Sequence, residues 1–176
     1  DANEDVAYFR LSGGDLASRL PAGAKMAEPF GPRGMGAGPA GLAAAHELVK
    51  HGCSVTIFER EKMAGGLLRY GIGPHRLPRE ILDQELDHIK GLGVDIITQS
   101  PININKGKGL NALKKKYNGV IIAAGSWKDR KLGIPGEELE GVEGCLSFLK
   151  SYYDGEAKPL DRDVAVIGDG NAAFDL

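Results

Sequence analysis

Cysteine, aromatic residues and long apolar runs are all scarce in this chain of 176 residues. Its 2 cysteines, Cys53 and Cys145, form no C-x-x-C pair, whereas a disulfide framework, a structural zinc site or an iron–sulfur cluster needs more. We interpret both as packing residues. No apolar run approaches the roughly 18 residues of a membrane span, and no secretory signal precedes the globular pattern. We therefore expect no metal, no membrane and a reducing, cytoplasmic setting.

Strong net charge is also missing. The 22 Lys+Arg and 24 Asp+Glu give a formal net charge of −2, so no strong field indicates a nucleic acid or a membrane surface as a partner. One local cluster is basic, and it consists of Lys106, Lys108, Lys114, Lys115 and Lys116. We interpret this cluster as a solvated helix face, and docking of an acidic partner protein is the alternative.

Glycine is the residue in excess. It supplies 26 of the 176 residues, about twice the usual share of roughly 7%. The glycines follow no fixed period, which argues against a fibrous chain. They are scattered among helix and strand patterns, and this favours backbone held close to a ligand.

Apolar patterns along the chain alternate between strand and helix. Short β-rich runs predict strands at residues 54–59, 94–98, 119–124 and 163–168. Helical spacing predicts helices over 39–50, from Pro78 to near Gly91, around 110–117 and around 146–153. This alternation favours βαβ units in an α/β, Rossmann-like, doubly wound parallel sheet. Residues 1–30 show little periodicity, and we expect a surface arm or linker there.

Two of these segments raise particular expectations. The strand at 163–168 would expose an apolar edge, so we expect further polypeptide to pack against it. The segment before Gly36 should be a buried strand, but it reads P-F-G-P-R-G-M, and Pro32 cannot donate to a sheet. Either the first strand is very short, or the sequence here departs from a natural one.

A glycine motif precedes the first helix. Gly36, Gly38 and Gly41 fit G-x-G-x-x-G, in which the glycines permit a tight turn, a close approach to a pyrophosphate and close helix–strand packing. The helix N-terminus adds free N–H groups and partial positive charge. Glu59 ends the next strand, about 20 residues on, where an acid should bind the adenosine ribose. The alternative is a glycine-rich helix entry with a surface glutamate.

A second glycine motif follows the last predicted strand. Gly168, Gly170 and Ala173 fit G-x-G-x-x-A in the run G-D-G-N-A-A. Two such motifs imply two nucleotides, and this favours electron transfer between cofactors over simple binding. A coincidental glycine turn after a strand is the alternative.

Three longer stretches carry a family resemblance. Residues 64–80 (A-G-G-L-L-R-Y-G-I-G-P-H-R-L-P-R-E), 121–137 and 168–175 resemble the flavin loop, the A-T-G-x-W segment and the NADPH motif of the glutamate synthase small-subunit family. The flavin domains of dihydropyrimidine dehydrogenase and related ferredoxin:NADP oxidoreductases are similar. The resemblance covers about residues 34–176. It implies a flavoprotein with two dinucleotide-binding domains, in which NAD(P)H reduces FAD and electrons pass to iron–sulfur centres or a ferredoxin-like partner.

The resemblance also implies site residues, all of them cofactor-binding. The FAD pyrophosphate and adenosine ribose are assigned to Gly36, Gly38, Pro39, Ala40, Gly41, Glu59 and Arg60. The flavin side is assigned to Gly65, Gly66, Leu67, Arg76, Ala124 and Gly125. The NAD(P) pyrophosphate is assigned to Gly168, Gly170, Asn171 and Ala172. No catalytic side chain is expected, because the flavin carries the hydride chemistry.

The chain departs from the family pattern in the flavin loop and after the third strand. Gly73 and Pro74 stand where the family has proline and a variable residue, and Ala124 replaces a threonine. Neither change removes a charged group, so we expect looser flavin-loop geometry rather than lost function.

These patterns predict a division of the chain. We expect an arm at 1–30, an incomplete FAD-binding domain at 31–160 and the truncated start of an NAD(P)-binding domain at 161–176. Such a chain belongs in a larger polypeptide or hetero-oligomer and should be inactive by itself. A non-catalytic FAD-binding relay subunit is the main alternative. A dehydrogenase with NAD as its single cofactor is disfavoured by the flavin loop.

Overall fold

The computed structural model describes residues 36–102, 112–113, 116–157, 163–168 and 170–176, and the backbone of Ala7–Leu11. Within these ranges the strands are β1 (Ala7–Leu11), β2 (Cys53–Phe58), β3 (Val94–Ile97) and β4 (Gly119–Ile121). The helices there are α1 (Pro39–Lys50), α2 (Leu67–Tyr70), α3 (Arg79–Gly91), α4 (Cys145–Tyr153) and α5 (Asn171–Phe174). Strands and helices alternate along most of the chain, as a Rossmann-like α/β fold requires.

The strands form one four-stranded sheet in the order β3-β2-β1-β4. β2 and β3 are parallel, with Val55 opposite Val94. β1 is antiparallel to both β2 and β4. It follows that β2, β3 and β4 run in the same direction. β1 lies between β2 and β4 and runs in the opposite direction. The expected parallel sheet is thus a mixed one.

β1 corrects the expectation of a surface arm over residues 1–30. Ala7–Leu11 occupies an inner position of the sheet, where the backbone of Phe9 is opposite Val55 on one side and Gly119 on the other. Five residues among turn-formers give too short a pattern to be recognised, and their strand conformation depends on two partners far along the chain. The segment before Gly36 lies outside the described residues.

The core lies between the sheet and helices α1 and α3. Leu42 and Ala45 of α1 are buried against Val55 and Ile57 of β2. Leu82, Leu86 and Ile89 form the buried stripe of α3 in the same cluster. Each buried Leu or Ile contributes about 1.5–3 kcal/mol of transfer free energy. The predicted helices over 39–50 and from Pro78 to near Gly91 are confirmed.

Two predicted strands differ in the structure. β4 ends at Ile121, which lies opposite Ala7 of β1, rather than at Ala124. Residues 163–168 form no strand, since no described segment pairs with them. All six residues are exposed, including Val164 and Ile167. No described segment covers this apolar run, so the packing of further polypeptide against it stays a prediction.

The remaining predictions concern isolated features. Cys53 is buried, as expected of a packing residue, and Cys145 is partly buried. Lys116 lies with its Nζ 5.4 Å over the ring of Tyr117, whereas Lys106, Lys108, Lys114 and Lys115 lie outside the described residues. In the part of the chain with assigned positions, no helix is long and apolar enough to cross a membrane. The same residues contain no group of three or more His, Cys, Asp or Glu arranged to hold a metal ion.

Candidate dinucleotide-binding site

The first glycine motif forms the entry to α1. Gly38 is the N-cap with extended backbone, and Pro39 opens the helix. Proline suits this position because it has no N–H to leave unpaired. Pro39 and Ala40 are exposed, whereas Gly41 and Leu42 are buried, so one side of the first turn faces solvent. Its unpaired N–H groups and the positive end of the helix dipole form a surface that favours an anion.

Two glycines of the motif, Gly36 and Gly41, leave no room for a Cβ. A Cβ on Gly41 would overlap the carbonyl oxygen of Gly36 and would lie 3.5 Å from the Cβ of Ala123. A Cβ on Gly36 would overlap the carboxylate of Glu59. Helix α1 and the bend before it therefore approach as closely as bare backbone allows, and Ala123 after β4 lies in ordinary contact distance. This is the role that the motif predicts for its third glycine.

The glycine pair of the flavin loop packs directly on this bend. Gly65 donates its N–H to the carbonyl of Ala37 at 2.7 Å. Gly66 has a φ of +54°, and a Cβ there would lie 2.7 Å from the Cα of Gly38. The structure thus brings two sequence-predicted segments together, and Leu67 then starts α2 beside them. We call these two segments of bare backbone, the Gly36–Gly41 bend and the Gly65–Gly66 pair, the cradle. Its open side is the first turn of α1.

The carboxylate of Glu59 holds the Gly36–Gly41 bend in place by accepting backbone hydrogen bonds. Its Oε2 accepts a hydrogen bond from the N–H of Ala37 at 2.7 Å, and its Oε1 accepts one from the N–H of Glu61 at 2.9 Å. The residue is only 3% exposed. Burial raises the pKa of Glu59, although the hydrogen bonds from the Glu61 and Ala37 amides partly oppose this. The carboxylate therefore positions the glycine bend, and contact with a ribose remains a prediction.

Replacing Glu59 by glutamine is expected to destabilise the fold by about 1 kcal/mol, because the new NH₂ group faces a backbone N–H that loses its acceptor. The pKa of Glu59 is raised, so its contribution to stability is present below the ordinary value of 4.5 and is lost as pH rises through the raised value. The cost of Glu59→Gln should therefore be larger at pH 5 than at pH 8. Urea denaturation at both pH values measures this, with exposed Glu85→Gln as the control. A cost that grows with pH would contradict the assignment.

Arg60 is held by an aromatic ring rather than by the glycine bend. Its guanidinium lies 5.5 Å from the ring centroid of Trp127, and its Nε donates to Glu61 at 2.7 Å. Gly125, with a φ of +68°, makes the turn that places Trp127 there. Ala124 packs in a small cluster with Phe58 instead. The segment after β4 thus supports the loop after β2, and its approach to a cofactor remains a prediction.

A charged cluster beneath α4 was not predicted from the sequence. Lys150 Nζ lies 3.1 Å from Glu61 Oε2 and 2.5 Å from Asp154 Oδ2. Burial lowers the pKa of Lys150, but the hydrogen bonds to Asp154 and Glu61 outweigh it and raise the pKa overall. Lys150 also lies 5.6 Å from the ring of buried Tyr70. The i,i+4 spacing of Lys150 and Asp154 is readable in the sequence, whereas the contact with Glu61 depends on the fold.

The second glycine motif is joined to the flavin loop through Asp175. Gly170 is the N-cap of α5, which has only four residues, and Gly168 has a φ of +151°. Gly168, Gly170, Asn171 and Ala172 are all exposed. Arg76, predicted near the flavin, donates from Nη1 to Asp175 at the end of this motif at 2.9 Å.

Comparison with known proteins agrees with this geometry. The sequence pattern of the family described as pyridine nucleotide-disulphide oxidoreductase matches residues 35–176. The chain is 39% identical over 146 residues to the NADPH-Fe(3+) oxidoreductase subunit beta of Geobacter sulfurreducens, covering 80% of this chain and 21% of that protein. It is 36% identical over 151 residues to the glutamate synthase [NADPH] small chain of Bacillus subtilis, covering 80% and 30%.

A further relative matches over more of the chain. The NADP(+)-dependent formate dehydrogenase subunit beta of Moorella thermoacetica is 38% identical over 168 residues, which is 93% of this chain and 22% of that protein. The chain spans less than a third of the length of each of these relatives. The resemblance to the glutamate synthase small-subunit family is confirmed.

Proposed function

This chain belongs to the pyridine nucleotide-disulphide oxidoreductase family, and on that premise we propose that it is the FAD-binding part of an NAD(P)H-dependent flavoprotein of the glutamate synthase small-subunit type. The flavin, when bound, supplies the hydride and electron-transfer chemistry. The protein supplies position and electrostatics. The observation that carries the proposal is the cradle of bare backbone formed by the Gly36–Gly41 bend and the Gly65–Gly66 pair.

The cradle fits the diphosphate of FAD. Gly38 leaves the backbone open to close approach, and the exposed start of α1 offers the N–H group of Ala40. Glu59 would hold the bend in shape and lie next to the adenosine side. Leu67 and the flavin loop would then extend the site toward the flavin ring. Arg60 would support the loop after β2 through its contact with Trp127.

The second motif would bind NAD(P)H. Gly168, Gly170, Asn171 and Ala172 would face its pyrophosphate, as the family resemblance implies. The proposed division is therefore an FAD-binding domain at 31–160 and the start of an NAD(P)-binding domain at 161–176, in a doubly wound arrangement.

The electron acceptor is proposed from the names of the relatives. Two of them are subunits beta of an NADPH-Fe(3+) oxidoreductase and of a formate dehydrogenase, and a third is a small chain of glutamate synthase. By analogy this chain would act in a larger polypeptide or hetero-oligomer and pass electrons to an iron–sulfur centre or a ferredoxin-like partner in the cytoplasm. We propose no metal site and no nucleic acid partner for this chain.

Anaerobic addition of NADPH or NADH to the intact flavoprotein that carries this chain tests the proposal. We expect the flavin absorbance near 450 nm to bleach with one of the two nucleotides. A protein that holds FAD but is bleached by neither would instead be a non-catalytic relay subunit, the alternative proposal. A colourless protein that binds NAD alone would contradict both proposals.

A further inference from the structure

A buried carboxylate joins the second glycine motif to the flavin loop. The side chain of Asp175 is only 2% exposed. Its Oδ2 accepts a hydrogen bond from Arg76 Nη1 at 2.9 Å, and His75 Nε2 lies 3.4 Å from its Oδ1. Asp175 and its two partners are about 100 positions apart in the sequence, on segments that the resemblance assigns to different cofactors.

The departure of the flavin loop from the family pattern makes room for this contact. A Cβ on Gly73, where the family has proline, would overlap the imidazole of His75 and lie 3.2 Å from the hydroxyl of Tyr153. Gly73 thus lets the ring of His75 fold back toward Asp175. The amides of Arg76 and Leu77 both donate to the carbonyl of Gly73 at 3.0 Å, which fixes the loop in this shape. Pro74, His75 and Arg76 are nevertheless exposed, so the expected looser geometry of this loop stays a prediction.

The energetics favour a positioning role for Asp175. Its Oδ1 is buried and accepts no hydrogen bond, which costs free energy. A buried ion pair adds little net stability against an apolar alternative, but it fixes the relative position of the two groups. The short helix α5 has no buried residue of its own to hold it in place. Its main specific contacts are this carboxylate and the bond from Cys145 Sγ to the carbonyl of Ala172 at 3.4 Å.

From these observations the structure assigns Asp175 as a positioning residue. It holds the second glycine motif against the flavin loop through Arg76, with His75 as the second partner. This assignment rests on the proposed function. In it, the Arg76–Asp175 pair fixes the distance between the two nucleotide sites, and neither residue touches the reacting atoms. Losing the pair should slow hydride transfer without weakening the binding of NADPH.

The first test measures the contact itself, by hydrogen exchange in the intact flavoprotein without added nucleotide. Arg76→Gln and Asp175→Asn should each speed exchange about tenfold in both segments, 73–77 and 170–176. The double variant should be no faster than either single one, because both remove the same pair. Asp87→Asn, in the exposed Lys90–Asp87 pair, is the matched control and should change neither segment. Unchanged exchange at 170–176 in Arg76→Gln would overturn the proposal.

The second test measures the consequence, by rapid anaerobic reduction with NADPH. Both single variants should lower the maximal rate of flavin reduction about tenfold, while the half-saturating NADPH concentration changes less than twofold. Faster exchange with an unchanged maximal rate would refute the positioning role. A wild-type protein that NAD(P)H does not reduce would refute the proposed function, and the exchange data would still decide whether the contact exists. If Asp175→Asn does not fold, Arg76→Gln, which alters a partly exposed side chain, carries both tests.

Discussion

Replacing Gly41 by alanine is expected to lower the free energy of unfolding by about 2 kcal/mol, the net of a steric cost at the upper end of its range and a smaller gain in helix propensity. In an ordinary helix this change would stabilise by about 0.8–1.0 kcal/mol, since alanine is the better helix former. Here the new Cβ overlaps the carbonyl oxygen of Gly36, which is backbone and cannot rotate away. Forcing atoms into such a contact typically costs 1–3 kcal/mol and occasionally more. The steric cost therefore exceeds the gain in helix propensity.

The control for this prediction is Gly91→Ala at the end of α3. Nothing lies within 4 Å of a Cβ built there, so this variant should be neutral or slightly stabilising. Urea denaturation of both variants measures the difference. A Gly41→Ala protein as stable as the wild type would show that α1 and the glycine bend are not in the close contact described above.

Replacing Lys150 by methionine should destabilise the fold by a similar amount, about 2–3 kcal/mol. The side chains of Glu61 and Asp154 are only 10% and 7% exposed, and the variant leaves Asp154 without a cation. Removing one member of a buried ion pair costs about 3–5 kcal/mol. The value here is lower because Lys150 is itself 32% exposed and because Glu61 keeps its bond from Arg60.

The pH dependence of the same pair gives a second readout. The pKa of Lys150 is raised, so its contribution to stability is complete below the ordinary 10.5 and is lost as pH rises through the raised value. The difference between wild type and Lys150→Met should stay constant from pH 7 to 9 and shrink above 10.5. Lys90→Met, in an exposed pair, should cost no more than about 0.5 kcal/mol. Equal losses in the two variants would show that the cluster beneath α4 is not buried.

The elements predicted correctly are those whose signals are local. Helix α1 was predicted from Pro39 to Lys50, because Pro at its start, the stop at Gly52 and the apolar spacing are all written within the segment. Helix α3 was predicted for the same reasons. β1 was missed because a five-residue strand takes its stability from distant partners, and residues 163–168 were wrongly assigned as a strand because a β-rich run without a partner forms no sheet.

The candidate site shows the same division. The glycine motif and Glu59 were recognised from their spacing, and the structure joins them by the bond from the Ala37 amide. The partners of Lys150 and Arg76 were not recognised from the sequence, because the fold alone brings Glu61 and Asp175 close to them. Residue types can predict a glycine bend that suits a diphosphate, but not which side chains position it.

The most direct test of the central claim is titration of the flavin-stripped protein with FAD after replacing Gly38 by alanine. The new Cβ would lie 3.7 Å from the Cα of Gly66, an ordinary contact, and the backbone of Gly38 suits alanine. Folding should therefore be unaffected. If the bend binds the diphosphate, the methyl group blocks its close approach, and FAD affinity should fall at least about tenfold. A stable Gly38→Ala protein that binds FAD as tightly as the wild type and Gly91→Ala would contradict the account.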